Sequence, residues 1–203
     1  MAIISVKKQT RMQKHFPRLL VGGGLVGLVS AFVLMVEKIA VLKNPDYVPS
    51  CNINPILACG SVINTPQASA FGFPNPIIGL IGFTAVIVVG VSLLAGMQIT
   101  KKWYWRMFWI GTVLGTAFIH WLFFQSVYRI GALCPYCMVV WVVTIPVFWY
   151  TTLWCLREGF LALPKGWNKA ANFVQQNHGG ILLSWYLVIT GLILHHFWYY
   201  FGF

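Results

Sequence analysis

The chain has 203 residues, of which 59% are hydrophobic and only 8% are charged. Soluble domains average about a quarter charged residues, so this composition excludes a soluble fold and makes the lipid bilayer the expected solvent. The net charge of +11 does not indicate nucleic-acid binding, because the basic residues flank apolar stretches instead of covering one face.

Five apolar stretches are long enough to cross a membrane, for which about 20 residues are needed. The first is too long for the hydrophobic region of a signal peptide and is followed by no clear cleavage site, so it is expected to be an anchor. We therefore predict an all-α integral membrane protein. The spans are placed near residues 19–36, 76–97, 107–127, 133–156 and 180–201.

Lysine and arginine residues are distributed unevenly between the two sides of these spans. Eleven lie on the side of the N-terminal tail and three on the other. Cytoplasmic segments carry the excess of basic residues in membrane proteins. This predicts a cytoplasmic N-terminus and, after five crossings, an outer C-terminus. The eleven are Lys7, Lys8, Arg11, Lys14, Arg18, Lys101, Lys102, Arg106, Arg157, Lys165 and Lys169, and the three are Lys38, Lys43 and Arg129.

These spans and charges predict a simple domain organisation. Residues 1–17 form a basic cytoplasmic tail, residues 18–156 a four-helix bundle with an outer loop at 44–74, residues 157–179 a cytoplasmic loop and residues 180–203 a fifth transmembrane helix. Within the outer loop, residues 53–62 are predicted to form a short interfacial helix capped by Asn52 or Asn54.

Four of the five cysteines fall at the outer side. Cys51 and Cys59 lie on the outer loop, where their spacing permits a local disulfide. Cys134 and Cys137 form Cys-Pro-Tyr-Cys at the start of the fourth span. The positive end of a helix dipole is expected to lower the pKa of Cys134, and Cys137 lies about one turn deeper. Cys155 is placed at the cytoplasmic end, out of reach of the others.

Two pairs on one side of a membrane can exchange electrons by thiol–disulfide exchange. Two other interpretations remain open from the residues alone. One is a set of structural disulfides or buried thiols. The other is a Cys₄ zinc site, although zinc ligands usually come in pairs separated by two to four residues, and the first pair here is wider.

At this point the sequence resembles the vitamin K epoxide reductase family. The resemblance covers roughly residues 18–156 and rests on the order of its motifs. They are the segment CNINPILACGSV from Cys51, the segment NPIIG from Asn75 and the CPYC motif from Cys134. The related DsbB family has the Cys-x-x-Cys motif first and the wider pair second. Some bacterial relatives carry a fused thioredoxin-like domain, which is not expected here because the chain stops at Phe203.

The resemblance implies directional roles for the four cysteines. A reduced partner attacks the Cys51–Cys59 disulfide at Cys51, the freed Cys59 attacks Cys134, and Cys137 is released beside a quinone. It also implies that Asn75 hydrogen-bonds a quinone carbonyl. Two positions depart from the family pattern: Thr65 stands where a serine is usual, and Trp141 where animal members have a tyrosine.

Several further residues have less specific patterns. His120 lies within the third span, where an ionisable side chain is a candidate for function, and we assign it to the quinone site beside the alternative of an ordinary buried histidine. Glu37 and Lys38 are predicted to pair at the end of the first span. Two Gly-x-x-x-Gly motifs, from Gly23 and from Gly111, are predicted to pack closely against other helices. The aromatics proposed for an apolar pocket are Phe71, Phe73, Trp121 and Phe124.

The predicted function is that of a thiol–disulfide:quinone oxidoreductase in a bacterial inner membrane, with its active site on the outer face. Menaquinone or ubiquinone is the expected electron acceptor, no metal is expected, and the expected protein partner is a DsbA-like thioredoxin-fold protein. One alternative is reduction of vitamin K epoxide or quinone in a different physiological direction. Another is a non-enzymatic membrane scaffold with structural disulfides.

Overall fold

The computed structural model describes residues 11–161 and 166–201, and all regular elements within those residues are helices. Five of them are long and apolar enough to cross a membrane, which confirms the predicted fold class. Lys7, Lys8, Lys165 and Phe203 lie outside the described residues. The helices are α1 Arg11–Lys43, α2 Cys59–Ile63, α3 Pro76–Leu94, α4 Lys102–Phe124, α5 Pro135–Arg157, α6 Asn168–Gln176, α7 His178–His196 and α8 Trp198–Phe201, with a 3₁₀ turn at Pro66–Ser69 and a π-helical segment at Gln125–Ile130 after α4.

Proline and glycine residues determine where the membrane helices begin and end. The α1 helix ends at Lys43 because Asn44 precedes Pro45, and a residue before proline disfavours the helical conformation. Pro76 and Pro135 occupy the first positions of α3 and α5, where a missing N–H costs no hydrogen bond. Gly131 follows the π-helical segment with φ +70°, a conformation that suits glycine.

The observed helix bounds differ from the prediction at both ends of the chain. The first span is longer than predicted, since α1 includes residues 11–17 of the predicted tail and continues beyond residue 36. The predicted cytoplasmic loop at 157–179 contains α6. The fifth span ends at His196, and the short helix α8 follows it.

The α1 helix packs tightly on α3 through glycines. A Cβ atom at Gly24 would lie 2.6 Å from Ile87, and one at Gly27 would overlap the Phe83 ring. On its other side, Gly23 lies against Val147 of α5. Small residues allow such backbone approach in membranes, where dispersion contacts replace the hydrophobic effect between helices. The prediction of close packing from Gly23 is therefore confirmed.

The second glycine pair has a different environment. Gly111 and Gly115 on α4 face open space, so the prediction that they pack closely on another helix is wrong. The α4 helix packs on α5, whereas α3 packs on α1, and a cavity separates α3 from α4. Both glycines line this cavity. A Gly-x-x-x-Gly pattern indicates a smooth helix surface but does not specify what the surface contacts.

The fifth membrane helix, α7, lies outside the four-helix bundle. None of its residues is buried, and it contacts the bundle through partly buried aliphatic and aromatic side chains, namely Leu182, Trp185, Tyr186, Ile189 and Ile193. The Trp185 indole donates a hydrogen bond to Nε2 of His120 at 3.0 Å. The Tyr186 hydroxyl donates to the carbonyl of Val142 at 2.6 Å. The bundle core is therefore built by α1, α3, α4 and α5.

Candidate redox site

The outer loop turns back on itself and joins Cys51 to Cys59 by a disulfide. Their Cα atoms are 5.5 Å apart, within the range that disulfides require. The turn is made by Asn54, whose Oδ1 accepts hydrogen bonds from the backbone N–H groups of Ile56 and Leu57. An asparagine side chain that satisfies nearby backbone groups competes with a helix. The predicted helix over 53–62 is accordingly wrong, and the helix begins only at Cys59.

Backbone hydrogen bonds attach this loop to the segment that precedes α5. The Ala58 N–H donates to the Leu133 carbonyl at 3.0 Å, and the Leu133 N–H donates to the Ile56 carbonyl at 2.7 Å. Asn52 Oδ1 accepts from the Gly60 N–H at 2.8 Å and so satisfies the first turn of α2. These bonds fix the position of Cys59 relative to Cys134.

The two cysteine pairs meet at Cys59 and Cys134. Their sulfur atoms are 3.1 Å apart, and both residues are completely buried. Cys134 is the residue before Pro135 and caps the N-terminus of α5. Because Cys59 is already in a disulfide, Cys134 supplies the free thiol of this contact. A thiol in contact with a disulfide sulfur is the geometry that thiol–disulfide exchange requires.

The environment of Cys134 favours its thiolate. A hydrogen bond from the Cys137 thiol is the main cause that lowers the pKa of Cys134, and the backbone N–H groups of Cys137 and Tyr136 act in the same direction. Burial and the negative charge of Glu37 oppose the shift without reversing it. The predicted direction of the pKa shift is therefore confirmed, but its main cause is the Cys137 thiol, and the backbone N–H groups at the start of α5 contribute less. A thiolate is the attacking species in exchange reactions.

Cys137 is half-buried and faces the cavity between α3 and α4. The cavity has a volume of about 860 Å³, in the range of sites that hold small organic molecules. Its wall is mostly apolar and includes Phe71 and Phe73 but neither Trp121 nor Phe124. The cysteines therefore form a chain from the loop disulfide through Cys134 to a thiol at an apolar cavity.

Three of the four residues predicted for the quinone site line this cavity, namely Asn75, Thr65 and Trp141. Among the described residues, no protein group accepts a hydrogen bond from the Trp141 indole N–H, so this donor remains available to a ligand. His120 does not line the large cavity. Its Nδ1 lies 2.8 Å from the Thr116 carbonyl, and its Nε2 accepts from Trp185. The alternative of an ordinary histidine bonded inside the protein matches these contacts.

Comparison with known proteins agrees with this arrangement. The family model described as "Vitamin K epoxide reductase family" matches residues 18–152. The chain belongs to the vitamin K epoxide reductase family. The matched segment extends from the first turns of α1 nearly to the end of α5 and so contains most of the bundle and all four cysteines of the two pairs.

One similar protein is the thiol-disulfide oxidoreductase LTO1 of Arabidopsis thaliana. It is 32% identical over 85 residues, which is 40% of this chain and 23% of the plant protein. The match thus spans about a quarter of that relative. Family membership, together with a disulfide in contact with a free thiol, supports the general class of membrane oxidoreductases that act on thiols and disulfides.

In this member of the vitamin K epoxide reductase family, Asn75 holds the loop that borders the cavity. Its Oδ1 accepts from the Ala70 N–H at 3.0 Å, and its Nδ2 donates to the Gln67 carbonyl at 2.7 Å. Thr65 donates its hydroxyl hydrogen to the Val62 carbonyl at 2.7 Å. Both side chains thus shape the loop end of the cavity, and the Asn75 amide keeps one further N–H.

Sequence reasoning missed several polar residues of the cavity, among them Lys38 and Gln67. Among the described residues no group donates to Oε1 of Gln67, although that atom is buried. Lys38 could have been identified by the rule that an ionisable residue inside a membrane span is a functional candidate, which was applied to His120. Gln67 has no comparable signal, because it lies in an irregular loop.

Glu37 and Lys38 do not form the predicted pair with each other. Successive residues on a helix point about 100° apart, so they face different partners. Glu37 Oε1 accepts a hydrogen bond from the Ser50 hydroxyl at 2.6 Å. A hydrogen bond to Glu37 also raises the pKa of Tyr47. Glu37 therefore attaches Ser50 to α1 beside Cys51, which is only 6% exposed.

The fifth cysteine lies at the opposite end of the bundle. Cys155 is completely buried in a cluster with Phe16 and Trp105, and its sulfur lies 3.9 Å from the Trp105 carbonyl. Within residues 11–161 and 166–201, no group of three or more His, Cys, Asp or Glu residues could hold a metal ion. Two of the four cysteines in the zinc interpretation are in the disulfide and have no thiolate to offer.

Proposed function

We propose that this protein is a disulfide-forming enzyme that transfers electrons from a reduced thioredoxin-fold partner to a quinone. The observation that carries this proposal is the 3.1 Å contact between Cys59 and Cys134, with Cys137 at the apolar cavity. It gives a continuous sulfur pathway from the loop to a site suited to an apolar acceptor.

The proposed cycle begins with both cysteine pairs oxidised. A thiolate of the partner attacks Cys51 and releases Cys59, which attacks Cys134 and releases Cys137. The second thiol of the partner then takes the partner's sulfur from Cys51, and the partner leaves as a disulfide. Cys51 attacks Cys59, which restores the loop disulfide and leaves Cys134 and Cys137 as thiols. The observed arrangement, one disulfide and two free thiols, corresponds to this stage.

A quinone accepts two electrons and two protons, the number released when Cys134 and Cys137 form a disulfide. The apolar wall of the cavity suits its ring and tail. Trp141 offers an unused indole N–H, and the remaining N–H of Asn75 is a second candidate donor. Thr65 shapes the same end of the cavity. The contacts of His120 with Thr116 and α7 favour a structural role for that residue.

The partner must approach the end of the bundle that carries the loop. The excess of basic residues at the other end supports a cytoplasmic N-terminus, so that Cys51 faces the outer side of a bacterial inner membrane. Disulfides persist in that compartment, and a DsbA-like protein is the proposed partner there. Since Cys51 is almost fully buried, the loop must open for the partner to reach it.

Reconstitution tests this proposal against the alternative of a scaffold. The protein is placed in vesicles with a reduced DsbA-like protein and either menaquinone or ubiquinone, and quinone reduction is followed by absorbance. We expect turnover in the wild-type protein and in Cys155→Ala, and none in Cys137→Ala. No turnover with either quinone, or full activity in Cys137→Ala, would refute the proposal. Adding vitamin K epoxide in place of quinone tests the alternative substrate.

A further inference from the structure

The cavity beside Cys137 has an unusual charge. Among the described residues that line it, Lys38 is the only one with a charged side chain, and no acidic residue is present. The wall is otherwise mostly apolar, and Lys38 itself is half-buried within the first membrane span. A charge in such surroundings is costly and tends to be retained for a function.

A single hydrogen bond fixes the position of the Lys38 ammonium. Its Nζ donates to the Ile63 carbonyl at 2.8 Å, and Ile63 is the last residue of α2. That carbonyl belongs to the unpaired group at a helix C-terminus, which favours a positive charge. An ammonium has three N–H donors, so two remain beyond the bond to Ile63. Lys38 is thus held at the cavity with donors to spare.

Reduction of an apolar acceptor in this cavity creates negative charge in a medium of low dielectric constant. One electron pair arrives from the Cys134 and Cys137 thiols, and the two protons of these thiols complete the reduction. Any charge that precedes the second proton needs a fixed counter-charge, and a positive group already in place provides one without reorganisation. Glu37, the neighbouring acid, faces Ser50.

We propose that Lys38 binds the oxygen of the quinone that becomes anionic during reduction and thereby accelerates electron transfer from Cys137. This inference rests on the proposed function and names a residue of the same site. The balance is unchanged: the two thiols become the Cys134–Cys137 disulfide, and two electrons and two protons reach the quinone. The competing interpretation is that Lys38 only ties α1 to α2, with its stem buried and its charge serving as an anchor.

Rapid-mixing measurements on three variants separate these roles. Lys38→Met removes the charge, Lys38→Arg keeps it, and Lys43→Met removes an exposed charge at the end of the same helix. We expect Lys38→Met to slow oxidation of the reduced cysteines by quinone about 100-fold, the usual cost of losing one donor to a developing oxyanion. Lys38→Arg should retain most of the rate, and Lys43→Met all of it. Electron transfer from the partner to the cysteines should be unchanged.

Binding of two redox-matched probes gives a readout that does not need turnover. The probes are 2-hydroxy-1,4-naphthoquinone, which is an anion at neutral pH, and its neutral 2-methoxy analogue. We expect Lys38→Met to weaken binding of the anion about tenfold or more, since the anion then has no ammonium group to pair with. Binding of the neutral probe should be unaffected.

Three results would overturn the proposal. They are equal rates for Lys38→Met and wild type in the quinone step, equal slowing of both electron-transfer steps, and equal weakening of both probes. A wild-type protein that reduces no quinone refutes the proposed function instead. In that case the two naphthoquinone probes still determine whether Lys38 selects an anion in the cavity.

Discussion

The sulfur of Cys134 lies 3.1 Å from the sulfur of Cys59, and neither residue is exposed to solvent. This contact connects a loop disulfide to the N-terminus of a membrane helix. Cys137, one turn further along that helix, reaches the cavity. In the proposed cycle, exchange between the pairs would take place at this buried contact, which solvent does not reach.

The roles proposed for the loop cysteines can be tested by trapping. In Cys59→Ser, a partner that keeps only its attacking cysteine joins Cys51, and neither Cys59 nor a second partner thiol is then present to displace it, so we expect a stable mixed disulfide between Cys51 and the partner. Non-reducing gels and mass spectrometry of the joined peptide measure it. Cys51 has no disulfide partner in this variant. It is therefore first converted to a mixed disulfide with a small thiol, which the partner thiol can then displace. Cys155→Ser serves as the control and should form no adduct. If the partner joins a different cysteine, the assignment of Cys51 is wrong.

The Ser50–Glu37 hydrogen bond should control access to the loop disulfide. A hydrogen bond to a charged group contributes about 1.5 kcal/mol or more, which corresponds to about tenfold in the population of an opened loop. We therefore expect Ser50→Ala to increase the rate at which a small thiol reduces the Cys51–Cys59 disulfide by about that factor. Ser184→Ala removes a hydroxyl that bonds only within α7 and should leave the rate unchanged. Equal rates in the two variants would mean that Glu37 does not hold the loop closed.

The reactivity of Cys134 should depend on pH in a predictable direction. Its pKa is lowered mainly by the hydrogen bond from Cys137, so thiolate is present at a lower pH than for an ordinary cysteine. In Cys137→Ala this bond is lost and the pKa rises. The rate at which the Cys59–Cys134 bond forms is measured by acid quenching and mass spectrometry. We expect its pH profile to shift to higher pH in this variant. Cys137→Ser retains a hydroxyl donor and should shift the profile less. Superimposable profiles for the alanine and serine variants would contradict this cause.

Filling the cavity should block the quinone step alone. A Cβ atom at Gly115 would meet no atom within 4 Å, so Gly115→Leu adds volume to the cavity without an overlap at its Cβ. We expect at least about a tenfold loss of quinone reduction, because ligand atoms and the new side chain would occupy the same space. Thiol exchange between the partner and Cys51 should continue. Gly191→Leu, at an open position on α7, is the matched control. A variant with full quinone turnover would mean that the acceptor binds elsewhere.

Features that depend on short stretches of chain could be predicted from the amino-acid sequence. Hydropathy and length predicted all five spans, because backbone N–H and C=O groups in lipid must form their hydrogen bonds within the same helix. The spacing of Cys51 and Cys59 permitted the disulfide that the structure contains. The pKa of Cys134 was predicted to be lowered from its place at the start of α5, and the direction agrees, although the main cause is the hydrogen bond from the Cys137 thiol. In each case the physical cause lies within a few residues of the site.

The contacts of the helix faces, by contrast, depend on how the helices pack in three dimensions. Hydropathy is nearly uniform around a membrane helix, so it does not specify how the helix is rotated. Packing against its neighbours turns Lys38 to the cavity and Glu37 to Ser50, and it directs His120 to Trp185. It also leaves Gly115 facing open space, although the same motif at Gly23 is packed. The cavity exists because α3 and α4 pack on different partners, a long-range relationship that no local pattern contains.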